Sequence, residues 1–209
     1  LIEIAQNFDI NLEDLQDCLD ETERPRYNFD LILQNNFILL RVIRNLESET
    51  GQRPTAPLGI FYTKNEQLVT IRLKSLQAVD NAFEGVFRRK IENGWILILE
   101  LVHILIQQME NRAQSIGNQI RELQLKILSS TKQEEISFPY QLNSDLIFFN
   151  TAMLGNFTTI KSFHNRVRPT LEKNLSLLEK FDDLQTDIEQ VYTFSSIYRD
   201  LMKDRKSVV

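Results

Sequence analysis

Thr63-Lys64-Asn65-Glu66-Gln67-Leu68-Val69-Thr70-Ile71-Arg72-Leu73 can be read in two ways, and the choice decides the fold class. Thr63 with Glu66 three residues on has the form of a capping box, an N-terminal signature of a helix. Leu68, Ile71, Leu76, Val79, Phe83 and Val86 continue behind it at helical spacing. The six residues Leu68–Leu73 taken alone have the composition of a β-strand. The cap and the longer stripe together predict a helix running to Phe87, and with it an all-α protein.

Outward from that stretch the same period recurs. Asn11 followed by Asp14 predicts an N-cap, with Leu12, Leu15, Cys18 and Leu19 behind it and Pro25 ending the unit. Leu33, Phe37, Leu40 and Ile43–Leu46 predict a second apolar helix face. Residues 48–63 hold Gly51, Pro54, Pro57 and Gly59 and read as the longest loop. Asn93–Gly94 breaks the chain before the apolar run Trp95–Ile106, which is far short of the roughly 20 residues of a membrane span. Ile116, Ile120, Leu123 and Ile127 face one side of the next helix, 130–139 is a linker, and 142–160 is helical again. From Leu171 to Leu201 apolar residues recur at mostly three- and four-residue steps, a long amphipathic helix or helix pair that also permits a coiled coil. The expectation is about eight helices in an armadillo/HEAT-like short solenoid or an irregular helical bundle. Residues 1–209 form a single helical domain, with possible sub-units 1–130 and 140–209. Because it opens on Leu1, the chain is expected to be part of a longer one.

Composition narrows the function classes. The 209 residues carry 24 basic and 29 acidic side chains, a net charge of −5 that argues against nucleic acid as a default partner. Eight acids and no base lie in residues 1–23, either a solvated face or a docking surface for a basic partner. A lone Cys18 excludes an internal disulfide, and its acidic neighbours make a reactive thiolate improbable. With no secretory leader in view, it points to a reducing, cytoplasmic setting. No phosphate loop, nucleophile elbow or His-Glu-x-x-His motif occurs, and His103 and His164 stand alone. The expectation is therefore no catalytic residues, no metal site, no cofactor and no enzyme.

A shift of 111 residues lays Leu40-Arg41-Val42-Ile43-Arg44-Asn45-Leu46 on Thr151-Ala152-Met153-Leu154-Gly155-Asn156-Phe157, with apolar positions kept and Asn45 meeting Asn156. The aliphatic–x–Asn–Leu/Phe ending resembles the third helix of an armadillo repeat, and Leu40–Leu46 most resembles the ataxin-ten family of cytoplasmic adaptors. The resemblance implies a concave groove in which Asn45 and Asn156 grip the backbone of an extended peptide. Arg41 and Ala152 stand where import-type armadillo proteins place Trp. Arg41 and Arg44 would line the same groove. Arg88, Arg89 and Lys90 either complement a helix C-terminus or bind a partner. The function so read is a non-catalytic scaffold or adaptor for protein–protein interaction, presenting a helical groove or an apolar helix face to a peptide or another helix. The alternative is a coiled-coil or bundle tether that oligomerises through 171–202. An enzyme or ligand carrier built in a helical bundle ranks below both.

Overall fold

A computed structural model describes residues 1–44, 53–73, 76–89, 91, 93–129, 137–172 and 174–203. It corrects the all-α expectation. Helices α1 (Ile2–Phe8) and α2 (Leu12–Asp17) precede four strands, β1 (Arg26–Asp30), β2 (Asn35–Ile43), β3 (Thr55–Tyr62) and β4 (Leu68–Arg72). Helices α3 (Gln77–Phe87), α4 (Gly94–Ser129), α5 (Ser137–Leu171) and α6 (Leu175–Lys203) follow. The strands form one antiparallel sheet in sequence order, β1-β2-β3-β4. A solenoid of helical repeats is therefore excluded. The two windows of the supposed repeat lie on different structures: Leu40–Ile43 of the first are on strand β2, and the second is on helix α5.

The physical reason is burial on both faces. Phe37, Leu39 and Phe61 point to one side of the sheet, where Ile10, Leu15 and Cys18 of the α1–α2 segment cover them. Ile38, Leu40, Val42, Ala56, Leu58, Ile60 and Tyr62 point to the other, where α3–α6 pack. A strand covered on both faces carries a continuous apolar run, and such a run contains the helical spacing by default. Strand β3 lies in the segment read as a loop, and all eight of its residues are buried.

The Thr63–Glu66 pair makes a hairpin rather than a helix cap. Glu66 N–H donates to the Thr63 carbonyl at 3.0 Å, and Thr63 N–H to the Gln67 carbonyl at 3.0 Å. The Thr63 hydroxyl does accept a backbone N–H, that of Gln67 at 3.2 Å. Glu66 has φ 59°, the left-handed conformation that reverses the chain into β4.

The acidic first segment belongs to the folded body. Arg26 reaches Asp14 at 3.4 Å, Asp17 at 2.5 Å and Glu23 at 2.6 Å. Arg44 pairs with Glu21 at 3.2 Å and Lys64 with Asp9 at 3.5 Å.

Candidate functional site

Beside the apolar core, one buried side chain hydrogen-bonds the sheet to a long helix. Strand β1 begins at Arg26, opposite Leu39 and directly after Pro25, while β2 runs on to Ile43. The next residue of β2 facing that edge is Arg41, which has no strand beside it there. Asn156 of α5 takes the vacant place. Its Oδ1 accepts the Arg41 N–H at 2.9 Å, and its Nδ2 donates to the Arg41 carbonyl at 2.8 Å. One amide thus replaces one residue of a strand. The approach is close: a Cβ on Gly155 would lie 2.7 Å from the Pro25 ring, so helix and strand end touch only because that position is glycine. Since both backbone groups of Arg41 turn to Asn156, the Arg41–Pro57 pair of β2 and β3 is a non-hydrogen-bonded one. Pro57 then faces past the end of β4, where the missing N–H leaves no ladder bond unmade.

Of the residues singled out in the sequence, Arg41 and Asn156 therefore meet, as partners of one another. They are 7% and 2% exposed. Arg44 is also buried, beside Glu21. Arg88 and Arg89 are exposed at the end of α3, where Arg88 pairs with Glu84 at 3.5 Å and Arg89 with Glu100 at 2.5 Å. Asn45, Lys90 and most of the linker 130–139 lie outside the described residues.

Helix α6 is the second component. Leu177, Phe181, Leu184, Ile188, Val191, Ser195 and Met202 are buried, at alternating steps of four and three until the last. Tyr198, packed against the core, completes the pattern. This seam lies against α4 and α5. Gly117 of α4 allows the crossing, because a Cβ there would sit 2.5 Å from the Tyr198 ring. The N-terminal half of α6 has polar contacts beside the seam. Glu100 of α4 accepts from Lys180 at 2.7 Å, His103 lies 3.5 Å from Asp187, and Asp182 lies 2.9 Å from Nε2 of the buried His164. The last contact is at ion-pair distance without hydrogen-bond alignment. The C-terminal half is tied by a polar cluster. Asn150 donates to Ser195 and Ser196, both at 2.9 Å, and accepts from Arg199 at 2.7 Å. Sequence reading passed over this cluster, since serine and asparagine at helical spacing look like surface. On the outer side Phe194, Ile197 and Leu201 stay 42–49% exposed at steps of three and four.

Hydrogen bonding from Lys180, followed by the charges of Lys180 and Arg89, holds the Glu100 carboxyl below its ordinary value of 4.5. The folded state thus gains stability above that value and loses it as pH falls through the depressed one. Lys180 and Arg89 are about half exposed, so solvent screens the pairs. Glu100→Gln is expected to cost about 0.5–1 kcal/mol at neutral pH. Urea midpoints of wild type and variant should converge in acid. A gap that persists there contradicts the ion-pair account.

Among the described residues no group of three His, Cys, Asp or Glu side chains is placed to hold a metal ion. Cys18 is fully buried, donates to the Asp14 carbonyl at 3.0 Å, and has its thiol pushed up to about 12, mainly by burial. No described helix is long and apolar enough to cross a membrane.

Comparison with known proteins places this architecture. Residues 1–207 match the family described as CorA-like Mg2+ transporter protein. The fold is similar to the soluble domain of CorA from Methanocaldococcus jannaschii, with a TM-score of 0.81 and 22% identity over 99% of this chain and 81% of that one. It also superposes on the complete CorA magnesium transporter of that organism, TM-score 0.79 and 21% identity, covering 99% of this chain and 64% of that one. The cytoplasmic domain of ZntB from Vibrio parahaemolyticus matches with a TM-score of 0.67 and 13% identity, over 100% of this chain and 84% of that domain. A search of curated proteins by sequence gives no match. The family match overturns the armadillo and ataxin-ten resemblance. It also overturns the scaffold, tether and helical-bundle readings of function drawn from it.

Proposed function

Because this chain belongs to the CorA-like Mg2+ transporter family, we propose that it is the soluble, cytoplasmic part of a magnesium transporter and not an enzyme. The observation that carries this reading is the family match over 1–207, supported by superposition on both the soluble domain and the complete transporter. The chain spans 64% of that complete transporter, so the membrane passage is proposed to lie in sequence corresponding to the rest. One core extends from the sheet through α3–α6, which supports reading residues 1–209 as one unit.

In this reading α6 transmits. It is held to the sheet through α5 and the Asn156–Arg41 contact, and to α4 through Glu100. A change in how the sheet sits is carried to α6 by buried polar contacts, which have discrete partners and resist gradual slippage. The exposed face of Phe194, Ile197 and Leu201 is proposed to meet the same face of further copies of the chain. Its three- and four-residue steps suit helix-to-helix packing.

Two measurements test this. Liposomes holding the full-length protein and an internal Mg2+ indicator should take up Mg2+ faster than empty liposomes, and no difference would remove the transport reading. Native mass of this chain should show an oligomer that Ile197→Asp converts to monomer with little change in melting temperature. An unchanged mass would remove the α6 contact while leaving the transport reading standing.

A further inference from the structure

A cleft of about 910 Å3 opens between the start of β1, the ends of β2 and β3, and the outer face of α5. Its basic wall is Arg24, Arg41 and Arg53, and its apolar wall is Ile147, Phe148 and Leu154. Arg41 is the informative residue. Its guanidinium donates from Nε to the Thr55 hydroxyl at 2.9 Å and from Nη2 to the Thr55 carbonyl at 2.5 Å. From Nη1 it donates to the carbonyls of Glu21 and Glu23 at 3.1 and 2.9 Å. Four of five N–H groups are thus paired with neutral oxygens. Among the described residues no carboxylate lies within ion-pair distance of this buried charge.

Arg53 adds to the imbalance. It lies near enough to Arg41 for the two charges to repel: burial, then Arg53 and Arg44, push Arg41 below its ordinary value against the smaller opposing pull of Glu21 and Asp20. The Arg53 guanidinium rests 5.2 Å from the centre of the Phe148 ring, and among the described residues no carboxylate lies within ion-pair distance of it. The nearby acids act on these arginines only from beyond ion-pair distance, their direct contacts lying elsewhere. Glu23 is held by Arg26, Glu21 by Arg44, and Asp20 accepts two hydrogen bonds from Thr22 at 2.8 Å. A buried cation with no carboxylate at contact distance is costly, and a ligand anion would supply a counter-charge. The cleft greatly exceeds a bare phosphate in volume, and its far wall is apolar.

We propose that this cleft binds an organic phosphate, with the phosphoryl group between Arg41 and Arg53 and the attached apolar or aromatic group against Phe148 and Leu154. This chemistry is shared by a free nucleotide and an anionic phospholipid headgroup. The site is independent of the transport reading: it needs no membrane segment and no second copy.

The test is calorimetry on this chain with three probes: ADP, inorganic pyrophosphate, and vesicles of phosphatidylglycerol in phosphatidylcholine. Binding of ADP supports the free-nucleotide source, and binding of the vesicles without ADP supports the lipid source. In either case Arg53→Glu should weaken binding about tenfold or more at an unchanged melting temperature. Phe148→Ser should weaken the organic ligand and not pyrophosphate. No binding of any probe at millimolar concentration overturns the proposal, as does binding indifferent to both Arg53→Glu and the milder Arg53→Gln. Equal affinity for pyrophosphate and ADP overturns the role of the apolar wall.

Discussion

Asn156→Leu is expected to lower the unfolding free energy by about 2–4 kcal/mol, because the Arg41 N–H and carbonyl lose their partners together. Leucine fills nearly the same volume, so the change tests the two hydrogen bonds more than the packing. Residue 41 lies in a nine-residue strand of which eight residues are buried, and water cannot replace the amide there. An orphaned buried backbone group costs about 1–3 kcal/mol, and relaxation of α5 recovers part of the sum. Urea denaturation followed by circular dichroism measures it. A loss below about 0.5 kcal/mol would mean that Asn156 is not what fixes α5 to the sheet. Asn156→Asp keeps an acceptor for the N–H but turns a carboxylate toward the Arg41 carbonyl, so it should be no better tolerated.

Gly59→Ala is expected to cost about 2–3 kcal/mol, by overpacking the opposite face of the sheet. A Cβ at Gly59 would stand 2.1 Å from the Cys18 Sγ and 3.2 Å from its Cβ. Cys18 has nowhere to retreat, being fully buried at the end of α2 and hydrogen-bonded to Asp14. Removing the sulfur in Cys18→Ala/Gly59→Ala should restore more than half the loss, a coupling of about 1–2 kcal/mol between the two sites. Thermal or urea melts of the two single variants and the double variant give that coupling directly. Additive losses would show that the clash is relieved elsewhere and that α2 is not seated on Gly59.

These two contacts also show what the sequence could and could not convey. The stripe from Leu175 to Leu201 falls on α6, while Leu171 ends α5, and the seam runs through Leu177, Ser195 and Met202 rather than Leu175, which is 70% exposed. A periodic pattern locates a helix more reliably than it chooses the buried side. The strands escaped notice for opposite reasons. Residues 35–43 are apolar on both faces, so no two-residue alternation exists to be read. Residues 55–62 carry Pro57 and Gly59, which signal turns elsewhere. Here Pro57 sits past the end of β4, and Gly59 makes room for Cys18. Arg41 and Asn156 drew attention as a pair of similar windows. Only the fold shows that one is on a strand edge, the other on a helix, and that each is the other's partner. The cluster of Asn150, Ser195 and Arg199 carries no sequence signal of its own, because nothing in 45 residues of separation tells that Asn150 and Ser195 touch.

The fastening of α6 differs along its length, and ionic strength should separate the two ends. At about 1.5 Å per residue its 29 residues span about 43 Å, several times the screening distance of about 8 Å in physiological salt. Lys180, about half exposed, adds an ion pair with Glu100 to the apolar seam of the first half, whereas neutral bonds from Asn150 to Ser195 and Ser196 are added to the seam of the second. Added salt weakens the former and spares the latter. The helix is then fastened unevenly, its first half loosening with added electrolyte more than its second.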